Sequence, residues 1–360
     1  AFEDKKLFDI DFKDICVFSG KTKNEKKNKF FLNHATGRIR GGRVMAVMGP
    51  SGCGKSTIVS MLCDRINSGG TSGDIMINRA KASALDVRKL CGFVPQLDTM
   101  HEKLSVKEVL TYQCELRFDP QTKFKDAEQR RKLVTSVIKN IGLDHVRHSL
   151  IGGATVRGIS GGQRKRVNMG MELMCHPRVL FLDEPTSGLD ATTSENLLDY
   201  MQVLAAGGVT IVMVIHQPNK ATFDKVDDVC LMKPSSKGGR LCYCGAVADA
   251  ITYFNGHGIP IDPHCNPADR FIDILSNCAG NEEGSLEDLW DKESKRLFSD
   301  FWKESADVPD FDKNNHRQRP PLYFQLYTIV IRTLNLQLNS IVSIAMNDAI
   351  VSMIAIFVTF

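Results

Sequence analysis

The sequence predicts an α/β chain built on a mainly parallel sheet covered on both faces, and three observations predict it. Short runs that are apolar throughout, such as Val44–Met48, Val179–Leu182 and Val209–Ile215, read as strands buried on both sides. Helical segments alternate with them, the signature of parallel strands joined by crossovers. Polar residues follow directly on those runs, at the strand ends where ligands of such sheets collect. The 360 residues leave room for one large domain or two ordinary ones. The 42% apolar and 24% charged fractions are those of a folded globular chain.

In chain order, Leu7 to Phe18 alternates in a strand-like way, and Lys21 to Lys29 reads as a solvated hairpin loop. Phe30 to Gly37 follows as a second strand and turn. Gly41-Gly42 leads into the strand Val44–Met48, and Thr57–Leu62 reads as the start of a helix. After the turn Gly69–Gly73 comes the short strand Asp74–Asn78. Ser83 to Cys91 reads as helical, and Gly92–Gln96 as a strand end. From Ser105 the apolar positions Val106, Val109 and Leu110 share one face with Gln113 and Leu116, at helical spacing. The polar stretch Phe118–Asp126 breaks this pattern, so at least two helices lie before Ile141. A helix over Gln163–Cys175, the strand to Asp183, a helix over Ser194–Ala206 and the strand to Ile215 complete the run. Cys242 and Cys244 read as strand packing.

The chemistry centres on Gly49-Pro50-Ser51-Gly52-Cys53-Gly54-Lys55-Ser56-Thr57, which fits the phosphate-loop pattern G-x-x-x-x-G-K-[ST] without a mismatch. Its glycines let backbone N–H groups wrap phosphates at a helix N-terminus, where the dipole favours negative charge. Lys55 is placed to reach the β and γ phosphates and Ser56 to ligate Mg²⁺. The implied ligand is a nucleoside triphosphate. Asp183 ends an apolar strand, the position of a second Mg²⁺ contact. Glu184, one residue on, is free to deprotonate a water. His216 ends the next strand and can donate to a γ-phosphate. Ser160-Gly161-Gly162-Gln163 opens a helix 23 residues before Asp183 and forms a second anion site, surplus within one chain unless it serves the nucleotide of another.

The phosphate loop, Gln96, Ser160–Gln163, Asp183-Glu184, Ser187–Asp190 and His216 together resemble the ATP-binding-cassette ATPase domain, over roughly residues 7–250. The resemblance implies a parallel core sheet with an antiparallel β subdomain and an α-helical subdomain, with ATP and Mg²⁺ as cofactors. It implies that Gln96 senses Mg²⁺ and γ-phosphate, that Ser187–Asp190 is the D-loop, that Asp190 belongs to the nucleotide machinery, and that His216 is the switch histidine. Ser160–Arg166, Ile215–Pro218 and Cys265–Asp273 resemble the G subfamily of half-transporters. That resemblance implies a homodimer, or a heterodimer with another half-transporter, exporting a lipid, sterol or amphipathic small molecule. Two departures stand out. Val17, followed by Phe18, falls where many cassettes stack an aromatic on adenine, and Gln163 stands where many G-type members carry Glu.

The expected domains are a nucleotide-binding domain over 1–275, a charged linker with short helices over 276–318, an amphipathic connecting helix over 319–340 and the start of a transmembrane helix over 341–360. Phe324, Tyr327, Ile331, Leu334 and Leu338 repeat at helical spacing. Ala349–Phe360 carries no charge, and a buried core helix is the alternative to a span. Lys313, Arg317, Arg319 and Arg332 place the preceding side in the cytoplasm, with the chain an integral membrane protein in contact with lipid. A net charge of +4 over this length does not call for nucleic acid. The eleven cysteines lack paired C-x-x-C spacing, so neither a zinc site nor a disulfide framework is indicated. The alternative function is a soluble cassette ATPase acting in translation or DNA repair.

Overall fold

A computed structural model describes residues 7–19, 29–66, 69–82, 87–88, 90–118, 126–153, 156–262, 265–277, 286–299 and 320–338. The chain divides into two units, Ala1–Leu97 with His176–His316, and Asp98–Cys175 with Arg317–Phe360.

The first unit holds two sheets. One is six-stranded: β3 (Val44–Met48), β6 (Cys91–Val94), β7 (Val179–Asp183), β8 (Thr210–Val214), β9 (Asp228–Lys233) and β10 (Arg240–Ala246), in the order β10-β9-β3-β8-β7-β6. The β3, β6, β7, β8 and β9 pairings are parallel, and β10 joins antiparallel at the edge. Every residue of β3 and β8 is buried, as unalternating apolar runs require. Helices α1 (Lys55–Leu62) and α5 (Ala191–Ala206) turn Ile58, Val59, Leu62 and Leu197, Leu198, Met201 inward. The second sheet is antiparallel: β1 (Ile10–Phe18), β2 (Phe30–Ile39), β4 (Gly70–Ile77) and β5 (Ala80–Lys81), ordered β2-β1-β4-β5. The loop expected over Lys21–Lys29 lies outside the described residues except for Lys29. So does much of the helix expected over Ser83–Cys91, and Cys91 itself opens β6.

A short helix, α6 (Lys220–Phe223), precedes β9, and after β10 come α7 (Val247–Gly256), α8 (Pro267–Asn277) and α9 (Leu286–Phe298). Where the sequence suggested a linker with short helices, α9 is a 13-residue helix. Its Trp290 is 1% exposed, donates its indole N–H to the Thr36 carbonyl at 3.0 Å, and stacks 5.3 Å from Tyr243. Leu286, Trp290, Ser294 and Phe298 form the buried stripe. Glu287 is buried beside it, paired with Lys233 at 2.7 Å, so a serine and a charged residue in the packed face conceal it.

The second unit contains α2 (Val106–Arg117), α3 (Ala127–Asn140) and α4 (Gly161–Leu173). Ser105 and Glu108 form a capping box at α2, and Asp126 caps α3. Their core is Val106, Leu110, Val134, Ile138 and Val167. Gly170 lets α3 and α4 approach, since a Cβ there would stand 2.9 Å from Ile141 Cδ1. A helix over 322–338, α10, turns buried Thr328 and the Asn335 amide inward, the latter donating to Tyr112 Oη at 2.6 Å. From the stripe read in the sequence, Tyr327, Leu334 and Leu338 are exposed, as are Leu322, Tyr323 and Val330. The segment 341–360 lies outside the described residues. Among the described residues no helix is long and apolar enough to cross a membrane.

Asp11 is the costly group in this fold. It is 1% exposed on β1, with Arg38 Nε 3.3 Å away and no hydrogen bond to its carboxylate. Burial, partly offset by Arg38, pushes its pKa up to about 6. The folded chain therefore binds this proton more tightly than the unfolded one. The associated stability is complete below about pH 4 and is lost as pH rises through about 6. Relative to wild type, Asp11→Asn should gain about 2 kcal/mol between pH 4 and pH 7.5 in denaturant titrations. A pH-independent difference would count against this account.

Candidate nucleotide site

The phosphate loop leaves β3 at Gly49 and enters α1 at Lys55. Gly49 takes φ 153°, and a Cβ there would lie 2.1 Å from the Met232 carbonyl of β9, so the loop is pressed against the neighbouring strand. Gly54 caps α1 with left-handed φ 93° and offers no side chain to its first N–H groups. No acidic residue occupies the first turn. These donors stay available to an anion. Ser51 and Gly52 are exposed, Pro50, Gly54 and Thr57 half-buried, and Cys53 is 0% exposed. Burial raises the Cys53 thiol above its ordinary range, with Lys55 opposing the shift.

Lys55 is 6% exposed, and its ammonium donates to the Gly49 carbonyl at 2.8 Å and the Pro50 carbonyl at 3.0 Å. Ser56 Oγ donates to Asp183 Oδ1 at 3.0 Å. Burial raises the Asp183 pKa while the Ser56 hydrogen bond lowers it. Glu184 follows with φ 47°, a left-handed conformation that costs a non-glycine residue about 1–3 kcal/mol and marks a constrained site. Its Oε2 accepts from Gln96 Nε2 at 2.6 Å, and its Oε1 lies 2.5 Å from His216 Nε2. Both oxygens of one carboxylate are thus held by side chains from β6 and β8. The hydroxyl of Ser56 and the carboxylate of Asp183 form a hard-oxygen pair of the kind that fits Mg²⁺.

The remaining expected residues lie elsewhere. Ser160 belongs to the second unit, exposed, as the N-cap of α4. Its Oγ accepts from the Gln163 N–H at 3.3 Å, and Gln163 Oε1 accepts from the Ser160 N–H at 2.9 Å. Gln163 thereby completes a capping box that Glu would also complete, which explains the departure noted in the sequence. Gly161 is half-buried and Gly162 buried in the first turn. Asp190 is the N-cap of α5, with Oδ1 accepting from the Thr193 N–H at 2.9 Å. Its bonds to Thr193 hold its pKa low.

A cavity of roughly 850 Å³ opens over the phosphate loop. Besides Ser51, Gly52, Gly54 to Thr57, Glu184 and His216, its walls include Phe30, Phe31, Asn33 and the loop Pro234–Gly239. Sequence reasoning missed these. A signal was present in Gly238-Gly239: a Cβ at Gly239 would sit 2.0 Å from the Cys53 carbonyl, so only glycine allows the loop onto the phosphate loop. Val17 is 2% exposed and unavailable to a base, and Phe18 packs edge-on against Phe30 at 5.6 Å. Phe31 is 47% exposed in the cavity wall. Asn266, in the Cys265–Asp273 segment, donates to the Pro218 carbonyl at 3.0 Å and so ties α8 to the loop after His216.

Comparison with known proteins agrees with this geometry. The family profile described as ABC transporter matches residues 32–187, and one described as ABC-2 type transporter matches 216–293. ABC transporter G family member 28 of Arabidopsis thaliana is 40% identical over 269 residues, 75% of this chain and 23% of that protein. ABC transporter G family member 1 of Dictyostelium discoideum is 38% identical over 277 residues, 76% of this chain and 34% of that protein. The chain belongs to the ATP-binding-cassette transporters of the G type. ATPase-coupled transport is the general activity of this family, and its cassette domain binds ATP. The chain spans less than half the length of the curated relatives named here. Among the described residues, those matched by the ABC-2 profile include β9, β10, α7, α8 and the first part of α9.

The burial of Cys53 against the exposure of Cys265 gives a chemical check on the loop. Maleimide should modify Cys265 faster than Cys53 by a factor on the order of 100, read by mass spectrometry. Equal labelling would mean that the loop does not bury its thiol.

Proposed function

We propose that this chain is the ATP-binding and ATP-hydrolysing part of a dimeric G-type half-transporter that couples hydrolysis to export of a lipid, sterol or other amphipathic small molecule. The observation that carries the proposal is Glu184, held at the end of β7 between Gln96 and His216 beside the phosphate loop. Lys55 releases the Gly49 and Pro50 carbonyls to meet phosphate, exchanging two neutral acceptors for a charged one. Ser56 and Asp183 hold Mg²⁺, which neutralises charge on the phosphates; Gln96 senses it. Glu184 takes a proton from the attacking water, and His216 orients Glu184 and donates toward the γ-phosphate.

Ser160 to Gln163 serves the nucleotide of a second copy or of another half-transporter. Support comes from its form: an exposed helix N-terminus with a neutral cap and no acidic residue in the first turn. Asp190 and its loop take part in the same closure. The cassette spans 1–275 and a linker 276–318, with α10 as the connecting helix and 341–360 as the start of a span. The exposed apolar side chains of α10 suit the membrane interface, with the cassette in the cytoplasm. Adenine stacks on Phe31, the exposed aromatic of the cavity wall, in place of the position taken by Val17.

Glu184→Gln should bind ATP with wild-type affinity, lose about 100-fold or more in turnover, and accumulate the closed dimer. Undiminished turnover would remove Glu184 from the base role. Phe31→Ala should raise the ATP KM about tenfold and Phe31→Tyr should leave it unchanged, as expected for one lost stacking contact. An unchanged KM in Phe31→Ala would place the base elsewhere.

A further inference from the structure

We infer that Glu287 and Asp291 of α9 are positioning residues for nucleotide binding: they clamp both ends of the Pro234–Gly239 loop and so hold one wall of the nucleotide cavity. The inference rests on the proposed function, in which that cavity receives ATP. Every residue involved belongs to the first unit. Lys233, the residue before the loop, has its Nζ 2.7 Å from Glu287 Oε2. Arg240, the residue after it, donates through Nη2 to Asp291 Oδ2. Lys233 and Arg240 face each other across the hairpin of β9 and β10, at the base of the loop. Glu287 and Asp291 are four residues apart on α9, so they share a face one turn from each other. Trp290, next to Asp291, reaches the same region and donates to the Thr36 carbonyl of β2.

The loop cannot move alone. Gly239 donates its N–H to the Phe31 carbonyl at 3.0 Å, and its own carbonyl accepts from the Asn33 N–H at 2.9 Å. Gly238 takes left-handed φ 98°, and a Cβ there would stand 2.8 Å from the Phe30 carbonyl. Gly239 also lies against the Cys53 carbonyl, so the loop, β2 and the phosphate loop form one packed edge of the cavity. The position of that edge is set where the hairpin leaves the sheet, which is where α9 grips it. Lys233 and Glu287 are both buried. An apolar pair of similar volume would stabilise the fold as well or better, because burying two charges costs desolvation. What the ion pair adds is direction, fixing one atom of the strand against one atom of the helix. Two such pairs at the two feet of a hairpin fix its tilt as well as its distance. Loss of either lets the loop swing about the remaining foot and displaces the wall that carries Phe31. Glu184 and His216 hang from β7 and β8 and keep their contact. The nucleotide then binds less tightly, while the chemical step is spared.

The test uses the full protein reconstituted in lipid vesicles, with ATPase kinetics and thermal unfolding. Glu287→Gln and Asp291→Asn should each raise the ATP KM about fivefold or more, with kcat within about twofold of wild type. Asp291→Glu, which keeps the charge, should recover most of the lost affinity. The double variant Lys233→Met, Glu287→Leu removes both charges and keeps the packing. Its melting temperature should match or exceed that of wild type, yet its KM should stay raised, which a purely structural role would not produce. This variant carries the test if Glu287→Gln does not fold. A KM within about twofold of wild type in the charge-removing variants, or a fall in kcat larger than the rise in KM, would overturn the inference. So would a normal KM in the stable apolar pair. A wild type that binds no ATP would overturn the proposed function instead.

Discussion

Gly49, Gln96, Asp183, Glu184 and His216 all stand at the carboxyl ends of parallel strands in one sheet, and the order of those strands decides what can meet. β3 delivers Gly49, β8 delivers His216, β7 delivers Asp183 and Glu184, and β6 delivers Gln96. They lie side by side as β3-β8-β7-β6, in a register that pairs Val47 with Val214, Asp183 with Val214, and Leu182 with Val94. A register slip of one residue in β7 would turn Asp183 and Glu184 to opposite faces and dissolve the site. Such a slip is prevented because β3 and β8 are buried at every position and would have to expose or misplace apolar side chains.

Within that frame the side chains satisfy one another. Lys55 turns back onto the carbonyls of its own loop, Ser56 bonds Asp183, and Gln96 and His216 share Glu184. Each of these contacts lies where a phosphate, a metal ion or a water would otherwise draw the same group. Lys55 is buried, and a buried charge needs partners, so the Gly49 and Pro50 carbonyls stand in for a ligand there. The left-handed backbone at Glu184 belongs to the same economy: local strain is tolerated because strand β7 and two hydrogen bonds over-determine the position.

The fold and half of the site were legible in the sequence for a common reason. Unalternating apolar runs locate buried strands, and a residue following such a run is placed without further knowledge. That reasoning locates Gly49, Gln96, Asp183, Glu184 and His216. It does not locate Phe31 or Pro234–Gly239, because they reach the cavity through an edge of the antiparallel sheet and a loop. Their position follows from close approach at Gly239, a contact distant in sequence. Helix α9 was hidden differently. Its buried face, Leu286, Glu287, Trp290, Ser294 and Phe298, includes a charged and a hydroxyl residue. The sequence therefore suggests short helices in a linker, one of them around Leu289-Trp290, rather than a single packed helix.

Gln163 shows how a local helix rule and a functional demand can be met together. A capping box accepts Glu or Gln at its third position, and either bonds the Ser160 N–H. Glu would place a full negative charge within the first turn of α4, where it would favour the helix dipole but oppose an arriving phosphate. Gln gives the same hydrogen bond through a neutral amide, at 2.9 Å, and keeps the end of α4 electropositive. The basic run Arg164-Lys165-Arg166 follows at once, with Lys165 drawn inward to Asp98 and Arg166 reaching toward the Ile141 carbonyl at 3.4 Å. The charge nearest the helix start is thus set by backbone dipoles rather than by mobile side chains. In the proposed role, an anion at this helix start would be held by backbone N–H groups and the helix dipole more than by any single charged side chain.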